Sequence, residues 1–343
     1  MSDRNTSARQ VLESAGSTTR EIQYVEAGVE ALREEMRRDK TIFYMGQGIG
    51  ARGGNYKQSK GLWDEFGEAR VRDTPISELG QVGLGVGAAM AGARPVVDIV
   101  FLDMIMEAMG QIVEQAATIH YASNGRIRVP MVIRAAMGTV RSTGPQHSRC
   151  FYSWFSHIPG LKVVLPASAY EVKGLFKTAI RDEGPVMFIE HKFLYNKKGP
   201  VPAEDYEIPF GTAKVCRTGT DVTILAMSLM VWRALEAADL LAQQGISAEV
   251  IDPRTIVPLD RGSILDSVRK TGRLVIVDEA QSFCGFSAEA AALASEGALD
   301  YLDAPIQRVC ALHTPHPFNP ILEAAMLPSV ERIVNAARRA VDG

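Results

Sequence analysis

From Glu21 to Asp39 apolar side chains recur at Ile22, Val25, Val29, Leu32 and Met36, a spacing of three or four that predicts an amphipathic helix. A short apolar run from Thr41 to Tyr44, closing on Met45 and Gly46, predicts a buried strand. Arg70 to Asp73 reads as a second, shorter strand, ended by Asp-Thr-Pro, and Ser77 is placed to cap a helix. That helix, through Gln81 to Gly92, carries small residues on every face, so another backbone can approach it closely. Ala93 to Phe101 predicts a buried strand. Met104 to Tyr121 predicts a helix with Ile105, Met109, Ile112 and Ala116 on one stripe. Further apolar runs at Val129–Ala136, Lys162–Pro166 and Pro185–Glu190 are separated by helical patterns such as Ala169–Arg181. Strand alternating with helix means a parallel sheet covered on both faces.

The rhythm breaks at Val201 to Pro209, a polar, proline-bearing stretch, and 201–214 is read as a linker. It restarts with strands at Asp221–Met227, Ala248–Ile251, Arg273–Asp278 and Ile306–Ala311. Helices are expected at Val231–Gln244, Arg261–Lys270, Ser287–Ser295 and Ser329–Val341. The expected organisation is therefore two α/β domains, 21–200 and 215–343, behind a disordered leader or arm at 1–20. Composition changes this picture little: 46% hydrophobic and 22% charged residues in 343 describe a soluble globular protein. Lys plus Arg number 37 and Asp plus Glu 40, a net charge of −3 that argues against general nucleic-acid binding. No segment approaches the roughly 18 consecutive apolar residues of a membrane span. Cys150, Cys216, Cys284 and Cys310 lie far apart, with no CxxC, so neither a zinc knuckle nor a disulfide framework is expected and reduced thiols in a cytosol fit best. The Arg and Ser content of the first residues also suits a mitochondrial transit peptide, against which Asp3 and Glu13 count.

Three stretches carry candidate chemistry. Gly46 to Tyr56 is a glycine-rich loop at the carboxyl end of a strand, where open α/β sheets place ligands. It lacks the Gly-Lys-Ser/Thr of a phosphate loop, its GxGxG is not the dinucleotide fingerprint, and its glycines also suit plain backbone freedom. Glu78 opens the small-residue helix. Flanked by Ile76, Leu79 and Val82, its carboxyl is expected to lose hydration, which raises a carboxyl pKa toward neutrality, as proton transfer requires. Its other reading is a first-turn acid serving the helix dipole. His147, in a glycine/proline loop, reads either as a surface histidine or as a catalytic one. His313-Thr314-Pro315-His316 has an HxxH spacing, but Pro315 and Pro317 oppose a helix and no acidic third ligand is near, so a turn over the domain edge is expected.

The motifs DTPISELG, VGAAMAGARPVVD, GPQHSRCF, HIPGLKVVLPAS, KTAIRDEGPVMFIEHKFLY and VIDPRTIVPLD, in this order and spacing over residues 21 to 341, resemble the β subunit of the thiamine-diphosphate-dependent component of 2-oxo acid dehydrogenase complexes. IEHKFLY looks closest to the acetoin and branched-chain branches. The resemblance implies a pyrimidine-binding α/β domain followed by a transketolase C-terminal-like domain. It also implies an α2β2 heterotetramer with thiamine diphosphate at each α/β interface, and a lipoyl acyltransferase core as a further partner. The diphosphate and Mg2+ fall to the α subunit, marked by a Gly-Asp-Gly that this sequence lacks. Carried over by position, Glu78 hydrogen-bonds the aminopyrimidine ring nitrogen, and His147 faces the substrate and assists acyl transfer to lipoyl. A structural K+ is implied on backbone carbonyls near Ala179 and Asp182, with Met131 and Gly184 aligned but different in type. Two positions depart from the family pattern: Gln47 stands where an acid is usual, and Met104 where an aromatic usually covers the pyrimidine. Alternative readings are the C-terminal half of a split transketolase, for which Arg52 and Arg149 are thin support, and a non-catalytic regulatory subunit, motivated by Gln47 and Met104. The expected compartment is a bacterial cytoplasm, with the mitochondrial matrix as the alternative.

Overall fold

The computed structural model describes residues 19–139 and 142–342. The leader expected at 1–20 thus lies outside the described residues except for Thr19 and Arg20, which begin a strand. In chain order the elements are β1 (Thr19–Gln23), α1 (Tyr24–Arg38), β2 (Ile42–Gly46), α2 (Leu62–Phe66), β3 (Val71–Asp73), α3 (Glu78–Met90), β4 (Arg94–Phe101), α4 (Ile119–Ala122), β5 (Val132–Met137), α5 (Tyr152–Ser156), β6 (Lys162–Val164), α6 (Ala169–Arg181), β7 (Val186–His191) and β8 (Lys198–Pro202). The second half adds β9 (Lys214–Arg217), β10 (Val222–Ala226), α7 (Leu229–Ala242), β11 (Ala248–Asp252), β12 (Thr255–Val257), α8 (Arg261–Thr271), β13 (Leu274–Gln281), α9 (Phe286–Ala298), β14 (Gln307–Ala311), α10 (Pro320–Met326) and α11 (Val330–Asp342).

Seven strands form the first sheet in the order β12-β6-β7-β5-β4-β2-β3, parallel except for β12. The second sheet runs β14-β13-β10-β11-β9, parallel except for β9. Strands buried on both faces read as unbroken apolar runs, and β2, β5, β7, β10 and β11 are buried along their whole length. One face of the first sheet is covered by α1 and α6, which pack on each other. The other face is covered by α3 and the segment after β4, whose Ile105, Ile112 and Ala116 enter the core.

Three local expectations are corrected. Glu21 to Gln23 are a strand, not helix: β1 pairs antiparallel with β8, and Gln23 is the N-cap of α1, its N–H donating to Glu26 Oε2, which reaches back, at 2.9 Å. The start of the expected linker, Val201 and Pro202, is part of that same ribbon. The helix expected over Met104–Tyr121 is instead a 3-10 segment (Leu102–Ala108), a wider π-helical segment (Gln111–Ala117) and then α4. The Thr118 hydroxyl donates to the Val113 carbonyl five residues back, 2.8 Å, and bonds from the i+5 residue suit the wider winding. The apolar stripe reads the same in all three windings, which is why periodicity did not separate them.

Candidate active site

The loop after β2 and the start of α3 meet at the carboxyl ends of the parallel strands. A Cβ on Gly46 would come within 2.6 Å of the Asp98 carbonyl oxygen, so only glycine lets β2 lie this close to β4. Thr74 N–H donates to the Gly46 carbonyl at 3.0 Å and Gly50 N–H to Asp73 Oδ1 at 2.9 Å, tying the loop to the end of β3. Ser77 caps α3, its hydroxyl accepting from Gly80 N–H at 3.4 Å. Glu78 follows as the first helical residue, 9% exposed, and Gln47 Nε2 donates to its Oε1 at 3.1 Å.

The apolar flank expected to dry Glu78 is arranged differently. Val82 is buried, but Ile76 is 80% exposed and Leu79 54% exposed. Val82 packs in the core, while Leu79 and Leu84 are exposed, so the start of α3 presents open apolar side chains beside Glu78. Met104 sits half-buried in the 3-10 segment that packs on α3.

His147 and its loop lie along the same edge. The imidazole stands edge-on to the Phe101 ring, with centroids 4.7 Å apart and planes at 87°. Its carbonyl accepts from the Thr143 hydroxyl at 3.2 Å and from the Lys192 ammonium. Lys192 is buried, which pulls its pKa down against the attraction of Asp103. Asp103 Oδ1 accepts from Arg149 N–H at 3.3 Å, while its buried Oδ2 has no hydrogen-bond partner. Burial pushes that carboxyl above its ordinary range, with the Arg149 N–H and the Lys192 and Arg149 charges pulling the other way. Cys150 is a buried thiol. Sequence reasoning missed Phe101, Asp103 and Lys192. The legible signal was Lys192, a lysine directly after an apolar strand, since lysine is rarely buried without a partner.

The second domain closes this edge. His191 Nδ1 accepts from Phe193 N–H at 3.1 Å, which assigns the ring proton to Nε2, and Nε2 lies 2.8 Å from Glu279 Oε2. Burial would raise the Glu279 carboxyl, but the His191 ring and the Thr139 N–H outweigh it and hold it below its ordinary value. Neighbouring Asp278 accepts from the Tyr152 hydroxyl and from Ala280 and Ser287 N–H, yet burial pushes it up to about 7. The two histidines of the HxxH spacing do not come together. His316 is buried with Nδ1 unpartnered, and burial pulls its pKa down, whereas His313 is exposed beside Phe283.

Among the described residues no group of three or more His, Cys, Asp or Glu could hold a metal ion. At the positions implied for K+, Ala179 and Met131 are buried. Asp182 Oδ1 accepts from Lys162 Nζ at 2.8 Å and Gly184 N–H at 2.7 Å, and Arg94 Nη1 donates to the carbonyls of Ile180 (3.2 Å) and Asp182 (2.9 Å). Of the backbone oxygens implied for K+, that of Met131 accepts from Val186 N–H at 3.0 Å, in addition to the Asp182 carbonyl just described. The chemistry of Glu78 and Met104 is compatible with one end of thiamine diphosphate. A shielded carboxylate suits a heteroaromatic nitrogen, and the thioether of Met104 suits a ring face.

Two stacked parallel-sheet domains with a carboxylate at the helix entrance of the first define a transketolase-type architecture. Accordingly, residues 20–198 match the transketolase pyrimidine-binding domain and residues 211–333 the transketolase C-terminal domain. A split-gene transketolase solved as an inactive β4 tetramer superposes with a TM-score of 0.76 over 95% of this chain and 99% of its own, at 23% identity, a likeness of fold. The chain is 45% identical to the pyruvate dehydrogenase E1 β subunit of Dictyostelium discoideum, over 94% of this chain and 91% of that one. It is 45% identical to that of Rickettsia bellii (92% and 97%), and 44% identical to the acetoin:2,6-dichlorophenolindophenol oxidoreductase β subunit of Cupriavidus necator (92% and 96%). The chain belongs to the family of β subunits of the thiamine-diphosphate-dependent component of 2-oxo acid and acetoin dehydrogenases.

Proposed function

We propose that this chain, paired with an α subunit in an α2β2 heterotetramer, forms half of a thiamine diphosphate site that decarboxylates a 2-oxo acid (or cleaves acetoin) and passes the acyl group to lipoyl on an acyltransferase core. The observation that carries this reading is Glu78, buried at the head of α3 and held by Gln47 at 3.1 Å, beside exposed Ile76 and Leu79, which suit burial against a second polypeptide. The cofactor, when bound, supplies the carbon nucleophile and the electron sink for loss of CO2. Glu78 holds and passes the proton at the aminopyrimidine ring nitrogen, a task favoured by a site from which water is excluded. Gln47 fixes the rotamer of Glu78 without adding a second negative charge, as an acid there would. Met104 covers one ring face, and His147 handles the proton exchanged with the acyl acceptor. The diphosphate and Mg2+ are assigned to the α subunit, whose Gly-Asp-Gly motif is lacking from this sequence.

The test is co-expression with an α chain bearing Gly-Asp-Gly, followed by thiamine-diphosphate-dependent turnover of 2-oxo acids and acetoin with a dye acceptor. Glu78→Ala is expected to lower turnover by about 10²–10⁴-fold, the usual range for a lost acid–base residue, while the heterotetramer still assembles. Near-normal turnover in that variant, or activity on ketose phosphates alone, defeats the reading.

A further inference from the structure

The loop that carries His147 has little regular structure: among the described residues its backbone bonds are Gly138 N–H to the Arg149 carbonyl and His147 N–H to the Gly144 carbonyl, both at 3.4 Å. The Thr143 hydroxyl adds bonds within it to the His147 carbonyl at 3.2 Å and the Ser148 hydroxyl at 2.8 Å, and the remaining ties come from Lys192 and Asp103 outside. We propose that Lys192 is a positioning residue for His147: its ammonium clamps the loop at the His147 carbonyl, so that acyl transfer depends on it more than the earlier decarboxylation does. This rests on the role given to His147 above.

Lys192 is placed for the task because it follows β7 directly, at the rigid carboxyl end of the first sheet, and its side chain is 4% exposed. Its hydrogen bond among the described residues goes to a neutral backbone carbonyl, not to a carboxylate. Burying an ammonium is costly, and an apolar side chain would fill the same space without that cost. A charge-assisted bond is stronger than a neutral one, and that is what the loop gains. Asp103, Glu279 and Glu323 supply compensating negative charge around the ammonium. The same ammonium stands 5.3 Å over the face of Phe101, whose ring meets the imidazole edge-on. Lys192 therefore acts on His147 through both its backbone and its ring. Asp103 pins the other end of the loop through Arg149 N–H.

The experiment compares Lys192→Met, Lys192→Arg, Phe101→Leu and His147→Ala in the assembled enzyme. It measures two rates, dye-coupled decarboxylation and acyl transfer to a lipoyl domain, together with amide hydrogen exchange over residues 143–149. Lys192→Met is expected to lower the ratio of acyl transfer to decarboxylation by about 10- to 100-fold, the effect of a displacement near 1 Å, with Lys192→Arg recovering most of it. Exchange in 143–149 should accelerate in the Met variant. An equal fall in both rates, or unchanged exchange in that segment, overturns the proposal. Phe101→Leu leaves the buried charge in place and should shift the ratio in the same direction; no shift counts against the clamp even if Lys192→Met fails to fold. Normal acyl transfer in His147→Ala would instead remove the role of His147, and the exchange data would still decide whether Lys192 holds the loop.

Discussion

Asp278 illustrates how one side chain sets a pH dependence for the joint between the domains. Three donors favour its ionised form, but burial dominates and its folded pKa lies at about 7, against 3.8 for an unhindered aspartate. The folded state therefore holds this proton more tightly than the unfolded chain, so the group's contribution to stability is fully present below pH 4. It is lost as pH rises toward 7, by up to about 4 kcal/mol. Asp278→Asn should flatten that slope, and the difference between wild-type and variant unfolding free energies at pH 5 and 7.5 measures it. Residues of this kind were partly legible in the sequence. Glu78 could be read because its cap and its helix are local, and Ser77 does cap α3. Lys192 carries a local signal but not its partner, and Glu279 carries neither, because His147 and His191 are respectively 45 and 88 residues away and only the fold brings them together.

The central strands are held by more than apolar burial. Arg134 of β5 is paired with Glu190 of β7, Nη2 to Oε1 at 3.0 Å, and also donates to the Tyr44 hydroxyl at 3.3 Å and the Gln58 carbonyl at 3.2 Å. Tyr44 in turn donates to buried Asp98 of β4, whose carboxyl burial pushes up. Removing one member leaves a buried charge without its partner. Glu190→Ala should therefore cost roughly 3–5 kcal/mol in denaturant unfolding, whereas replacing Arg134 and Glu190 together by Met and Leu should cost less. Element identity was legible where a strand is apolar throughout and for most single-stripe helices, the segment after β4 excepted: α6 begins and ends at the predicted residues. β1, β8, β9 and β12 were not legible. They are three to five residues long and owe their form to pairing with a distant partner, not to their own pattern.

At the level of the whole chain the two domains share structure as well as surface. β12, from the second half, pairs antiparallel with β6 and completes the first sheet. Arg254 reaches Glu171 at 3.1 Å, and Trp232 Nε1 donates to the Ala167 carbonyl at 2.8 Å. Thermal unfolding monitored by calorimetry is expected to show one transition; two well-separated peaks would mean the shared strand carries little energy. The two-domain order was readable from the strand–helix rhythm, whereas the exchange of β12 was not, since no local signal marks a strand that leaves its own sheet. That exchange also has a meaning for synthesis. The ribosome releases the last parallel strand of the first sheet near residue 191, yet β6 gains its outer neighbour only when residues 255–257 emerge. For the intervening stretch of translation a nascent chain carries an unpaired edge able to recruit a neighbouring nascent chain, so stop codons placed between these points should yield aggregates and not a soluble half-protein.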